Sequence, residues 1–183
     1  MAQTRRMARN DPRRPRPPLD SRSLRDLALH YAARFATTRA RLAAYLARKL
    51  KERGWAGGAP PDLQALADEF AASGYVDDEA FARSRAESMG RRGYGARRIA
   101  VALHQAGIEE DMRAETLQSA EEGALAAAII LARRRRFGPF GDAASDSAAR
   151  RKQIAAMIRA GHGFDVARRI VDAPNEDSLH ENP

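Results

Sequence analysis

Arg91, Arg92, Arg97 and Arg98 flank Tyr94 around one turn, Gly93-Tyr94-Gly95. Guanidinium forks match phosphate and carboxylate groups bidentately, and an aromatic ring among them can stack on a base. The start of the following helix adds amide donors and a dipole that favour anions. The competing reading is a solvated basic corner with Tyr94 turned inward. Further cations stand at Arg133 and Arg134, in an arginine run closing a helical pattern, and at Arg150, Arg151 and Lys152. The last three open a later helix at the place Arg97 and Arg98 hold in theirs. One basic stripe through these residues is therefore the expected binding surface, for DNA phosphates or acidic protein. With 29 arginines against three lysines and abundant alanine, a coding bias would also produce many of these cations.

Bond-making chemistry has little to work with. His30, His104, His162 and His180 are scattered, and no two lie four apart on one helix as metal ligands would. Asp77-Asp78 and Glu109-Glu110-Asp111 could suggest acid–base work, but both sit where helices begin, and capping accounts for them. Gly93-Tyr94-Gly95-Ala96-Arg97-Arg98 resembles a phosphate loop only superficially. It follows a helix, lacks the third glycine of a dinucleotide fingerprint, and lacks the Lys-Ser/Thr of a nucleotide loop. The chain has no cysteine, so disulfides and thiolate metal sites are excluded. No catalytic residue, metal or cofactor is expected. A metal-dependent nuclease would need a convergent carboxylate or histidine cluster, and only helix caps are on offer.

The elements that position these side chains repeat. Leu46, Leu50, Gly54 and Trp55 share their spacing with Ile99, Leu103, Gly107 and Ile108, and with Ile154, Ile158 and the turn Gly161-His162-Gly163-Phe164. The anchors lie 53 and 55 residues apart. Each copy reads as a helix ended by a glycine, and Gly107 is expected at φ > 0. A period this long suits a three-helix module. The pairs Leu46/Leu50, Ile99/Leu103 and Ile154/Ile158 should be buried at equivalent places. Thr37 or Thr38 should start the second helix. Asp77 should cap the fourth, with Val76 stapled onto Phe81, Gly93 and Gly95 should make the tight connection that follows, and Asp165 should cap the last helix.

The reading is an all-α chain of three tandem three-helix repeats forming an elongated, curved array, over 19–74, 75–120 and 121–173. Few Val, Ile and aromatic residues argue against sheets. A net charge of +8 includes six arginines against one aspartate in residues 1–18, a proline-broken stretch expected to be a disordered basic tail. Residues 174–183 read as a flexible acidic tail. The longest apolar run, Ala124 to Ala132, is too short to span a membrane, so a cytoplasmic protein is expected.

The stretch Gly74-Tyr75-Val76-Asp77-Asp78-Glu79-Ala80-Phe81-Ala82, then Arg92-Gly93-Tyr94-Gly95, Arg98-Ile99, Leu103 and Ala106-Gly107-Ile108, resembles the RecX family of RecA recombinase regulators. Phe164-Asp165-Val166-Ala167-Arg168-Arg169-Ile170 is similar to the family's C-terminal end. The resemblance covers about residues 24–172. It implies a monomer without enzymatic activity that binds along the groove of a RecA–single-stranded-DNA filament. There it would restrain ATP hydrolysis, strand exchange and LexA-type coprotease activity in recombination, DNA repair and the SOS response. DNA contact would be independent of sequence, to single strands first and to duplex as a further target. Two departures stand out. Thr38-Arg39-Ala40-Arg41-Leu42 is basic where the family is commonly acidic, and Gly161-His162-Gly163-Phe164 replaces an Arg-Gly-Phe turn. The alternative is a helix-turn-helix-like DNA-binding regulator acting without RecA, since three-helix units can place a helix in the major groove.

Overall fold

The computed structural model describes residues 16–141 and 146–180, so the expected basic tail lies outside the described residues up to position 15. The fold is all-α: nine α-helices and no strand among the described residues. The first triplet is α1 (Ser21–Arg34), α2 (Arg39–Arg53) and α3 (Leu63–Ala72). Asp20 and Ser23 form a reciprocal capping box at α1, Thr38 caps α2 through the Arg41 amide, and Asp62 caps α3. Each supplies an acceptor to amides that have no partner within the helix. Gly54 ends α2 at φ 80. Ahead of α1, Leu19 is fully buried and exchanges backbone bonds with Gly54 and Ala56, 2.9 and 2.8 Å, in a single β-bridge to Trp55.

The second triplet is α4 (Asp78–Arg91), α5 (Ala96–His104) and α6 (Glu110–Glu122), and the third is α7 (Ala124–Arg135), α8 (Ser147–Arg159) and α9 (Phe164–Asp172). Each triplet closes its own apolar cluster, around Leu24, Leu42 and Leu46, around Ile99 and Leu103, and around Ile154, Met157 and Ile170. Helices this short are marginal alone, and burial of one face stabilises them.

Several expectations need correction. Ile158 is 37 % exposed, and Met157, fully buried, takes its place in the third core. The inward stripe of α8 steps by three residues, from Ile154 to Met157, where α2 and α5 step by four; Leu50 is only half-buried. Val76 does not staple onto Phe81. It is buried in the first core, while Phe81 packs on the second with the Arg41 guanidinium over its ring at 5.0 Å. Asp165 does not cap α9: the cap position is Gly163, and Asp165 lies within the first turn. Residues 174–180 are not a loose tail. Leu179 is buried in the third core, Glu176 pairs with Arg133, and Arg169 donates to the Leu179 carbonyl at 3.1 Å.

The basic start of α2 turns out to dock the first triplet on the second. Thr38 is fully buried and donates its hydroxyl to the Ala106 carbonyl at 2.6 Å. Asp78, which the sequence places only at the start of a helix, is 8 % exposed. It accepts from the Arg39 backbone amide at 2.9 Å and from Arg39 Nε at 3.1 Å. The same guanidinium reaches Glu109 at 2.9 Å, so Glu109 gives α6 no side-chain cap. The Asp78 hydrogen bond, with the charges of Asp78 and Glu109, raises the affinity of Arg39 for its proton, against desolvation. Beside this knot Gly107 has φ 74, and a Cβ there would stand 2.2 Å from Ala40 Cβ.

Gly107→Ala should therefore combine left-handed strain with a steric clash, lowering stability by about 2–3 kcal/mol. Adding Ala40→Gly should recover the steric share and leave the strain of roughly 1 kcal/mol. Thermal or denaturant melts of both variants test this; a neutral Gly107→Ala would mean the two triplets separate at that point.

Candidate functional site

The turn that carries the central arginines is a seat for the third triplet. Gly95 N donates to the Ala160 carbonyl at 3.0 Å and Arg97 N to the Gly161 carbonyl at 3.2 Å. The amide end of α5 thus abuts the carbonyl end of α8, each satisfying groups the other leaves free. The dipole expected to attract an external anion is engaged inside the protein. The glycines of this seam have no space for a Cβ. A Cβ on Gly95 would lie 2.4 Å from the Gly161 carbonyl oxygen, and one on Gly93 2.8 Å from the Leu131 amide nitrogen. Gly161, at φ 99, would bring a Cβ to 2.5 Å from the Arg98 amide nitrogen.

His162 completes the seam. It is 2 % exposed, and its Nε2 lies 3.0 Å from the Gly93 carbonyl oxygen, so the neutral ring donates from Nε2. Nδ1 is buried with no hydrogen-bond partner. Burial pushes the imidazole below its ordinary pKa, and the Gly93 carbonyl opposes this only in part.

Around the seam the side chains point outward. The guanidinium carbons of Arg92 and Arg98 lie 5.4 and 5.1 Å from the Tyr94 ring centroid. Tyr94 itself is half-buried against the second core. Its ring carries two cations and sits at the edge of the arginine cluster. Arg85, Arg92, Arg97, Arg98 and Arg159 line a groove of about 520 Å³ together with Val101, Ala102 and Ile158, and no carboxylate lines it. Tyr94, Arg98 and Arg159 also border a neighbouring hollow of about 280 Å³ with Arg134 and Arg135.

The remaining cations do not join this cluster. Arg91 faces Glu87 one turn back on α4 at 3.5 Å. Arg133 pairs with Glu176 and lies over the Phe140 ring at 5.5 Å. Arg150 grips both oxygens of Asp172, which lowers the Asp172 pKa and raises that of Arg150. Arg151 and Lys152 are exposed near the start of α8, roughly 12 Å along the helix from Arg159. A continuous stripe through Arg150 and Arg151 is thus broken by the Asp172 pair. The equivalence drawn between the starts of α5 and α8 misled, because it is the end of α8 that meets the start of α5. Arg159 is the cation this brings in. Its only trace in the sequence is its position two residues before Gly161.

Residues 77–117 match the model of the second three-helix domain of RecX proteins. The regulatory protein RecX of Myxococcus xanthus is 32% identical over 170 residues, covering 88% of this chain and 90% of its own. The chain belongs to the RecX family. The RecX protein of Halorhodospira halophila is 37% identical over 157 residues, with 86% and 91% of the two chains covered. The crystal structure of RecX from Lactobacillus salivarius superposes with a TM-score of 0.63 at 17% identity, over 82% of this chain and 93% of that one. At that identity the RecX likeness is one of fold.

No group of three or more potential metal ligands converges among the described residues, and no helix there is long and apolar enough to cross a membrane.

The seam carries a pH dependence. Between the depressed folded pKa of His162 and the unfolded value near 6.5, the unfolded chain binds more protons. The contribution of His162 is therefore complete above that unfolded value and is lost as pH falls through the folded one. Melting temperature should drop on acidification toward pH 5, and His162→Gln, less stable at pH 7, should show a flatter profile there. Parallel profiles for the two proteins would mean His162 is protonated without strain.

Proposed function

We propose that this RecX-family chain binds RecA–single-stranded-DNA filaments and restrains their ATP hydrolysis, strand exchange and coprotease activity, with no bond-making chemistry of its own. The observation that supports this best is the groove at the second and third triplets, where five guanidinium groups converge with no carboxylate among the lining residues. Uncompensated cations on a rigid scaffold attract polyanions and acidic protein surfaces. The apolar floor at Val101 and Ile158 adds contact area of a kind that protein partners use. The reading has the protein act as a cytoplasmic monomer laid along the filament, three modules in a row engaging neighbouring subunits. Linked weak contacts then raise avidity without any single tight site.

Major-groove reading without RecA is the weaker account. The N-terminus of α5 is closed by α8, and the third helix of each triplet starts with carboxylates nearby: Asp62, Glu109 to Asp111, and Asp165. A recognition helix presents its N-terminal residues to bases flanked by phosphates, where carboxylates repel.

In a filament ATPase assay the protein should inhibit at modest ratios to RecA, and strand exchange should fall in parallel. Arg92→Glu with Arg97→Glu adds repulsion as well as removing attraction, and should raise the inhibitory concentration at least about tenfold with unchanged helix content. Inhibition equal to that of the unaltered protein would reduce the groove to solubilising charge. Filament activity unaffected by the unaltered protein would refute the reading as a whole.

A further inference from the structure

A second opening lies between the first and second triplets. It measures about 420 Å³ and is lined by Phe35, Thr37, Tyr75, Phe81, Ser84 and Arg85, among others. Its two terminal aromatics are conspicuously uncovered: Phe35 is 50 % exposed and Tyr75 55 %. Both are held by the first triplet, Phe35 against Tyr31 of α1 at 5.3 Å between centroids and Tyr75 against Phe70 of α3 at 5.5 Å. Their positions are therefore set before anything binds.

Three further observations give the cleft a chemical character. The Arg34 guanidinium lies 5.6 Å from the Phe35 ring centroid, so a cation stands beside the aromatic. Thr37 is 6 % exposed, and its hydroxyl is buried without a hydrogen-bond partner at the cleft wall. Arg85 lines both this cleft and the arginine groove, so the two adjoin at that side chain on α4. The carboxylate of Asp77, the one acid at the cleft, accepts from the Ala80 amide at 2.8 Å as a helix cap.

We propose that this cleft is a stacking site for an unpaired nucleobase of a single strand whose phosphates run onto the arginine groove. The inference rests on the single-strand engagement proposed above and adds a place for a base. Exposed rings alternating with cations along a groove are what sequence-tolerant single-strand binding requires, because every base offers a π-face. In a duplex the bases are paired and stacked inside, so only a single strand can present one to Phe35 and Tyr75.

The test compares binding of the full chain to a labelled oligothymidylate and to an oligomer of abasic sites of equal length, across a salt series. Both carry the same phosphates, and only one carries bases. The unaltered protein should prefer oligothymidylate by at least about fivefold. Phe35→Ala with Tyr75→Ala should bring that ratio to about one, leaving abasic affinity and the salt slope unchanged. Phe35→Leu with Tyr75→Leu, which keeps the apolar packing, should do the same and guards against a folding defect. Arg92→Glu with Arg97→Glu should weaken both strands and flatten the salt slope while preserving the ratio. Equal binding of the two strands by the unaltered protein, or a ratio that survives in the leucine pair, overturns the stacking site and leaves the arginine groove standing. Loss of filament inhibition in the leucine pair with an unchanged ratio overturns it in favour of a protein side chain in the cleft. No binding to either strand refutes both the stacking site and the single-strand contact it rests on.

Discussion

Where the second triplet meets the third, the amide end of α5 is set on the carbonyl end of α8, with no side chain between them. Gly95 N to Ala160 O and Arg97 N to Gly161 O are backbone bonds between modules, at 3.0 and 3.2 Å. Such an approach is possible only where Cβ atoms are missing, which is why Gly95 and Gly161 face each other across it, with Gly93 set close against the Leu131 backbone. Opposed helix ends also place partial charges of opposite sign in contact, a favourable arrangement that side-chain packing alone does not supply. The three small cores are otherwise separate, so the relative orientation of the modules depends on seams of this kind.

The cost of this arrangement for recognition is that the helix terminus is no longer available to an external phosphate. Binding then falls to side chains, and the seam determines which ones. It brings Arg159, at the end of α8, beside Arg97 and Arg98, at the start of α5, so that one groove draws cations from two modules. The seam between the first and second triplets works with different chemistry. There Thr38 bonds the Ala106 carbonyl, and Arg39 ties Asp78 to Glu109, alongside Gly107 packed on Ala40. A half-buried guanidinium with several acceptors specifies one docking geometry, and leaving Asp78 without it would strand a buried carboxylate.

Charge in this chain accordingly divides into two populations. Arg39, Arg133 and Arg150 are taken up by Asp78, Glu176 and Asp172, and serve to hold two modules, the C-terminal segment, or α8 against α9 in place. Arg85, Arg92, Arg97, Arg98 and Arg159 line a groove without acids. The first population is screened by its partners, and the second sustains a field that reaches a partner. An excess of arginine in the composition is common to both, so counting it does not tell them apart.

The sequence by itself determined the helices and most of their ends, because these depend on neighbours a few residues away. Thr38, Asp77, Gly54 and Gly107 act where local spacing puts them, and the inward pairs Leu42/Leu46 and Ile99/Leu103 follow from a period of 3.6. The importance of the Gly93-Tyr94-Gly95 turn was legible too, although its use as a seam was not. What only the tertiary structure decided involves residues far apart in the chain. Arg39 with Asp78, His162 with Gly93, Leu179 in the third core and Arg159 in the groove each join positions that no helical period relates. Which face of α8 turns inward, Met157 rather than Ile158, was likewise decided by the surface it meets. Periodicity specifies a stripe on a helix, but the rotation of that stripe by one residue is chosen by the packing of its neighbours.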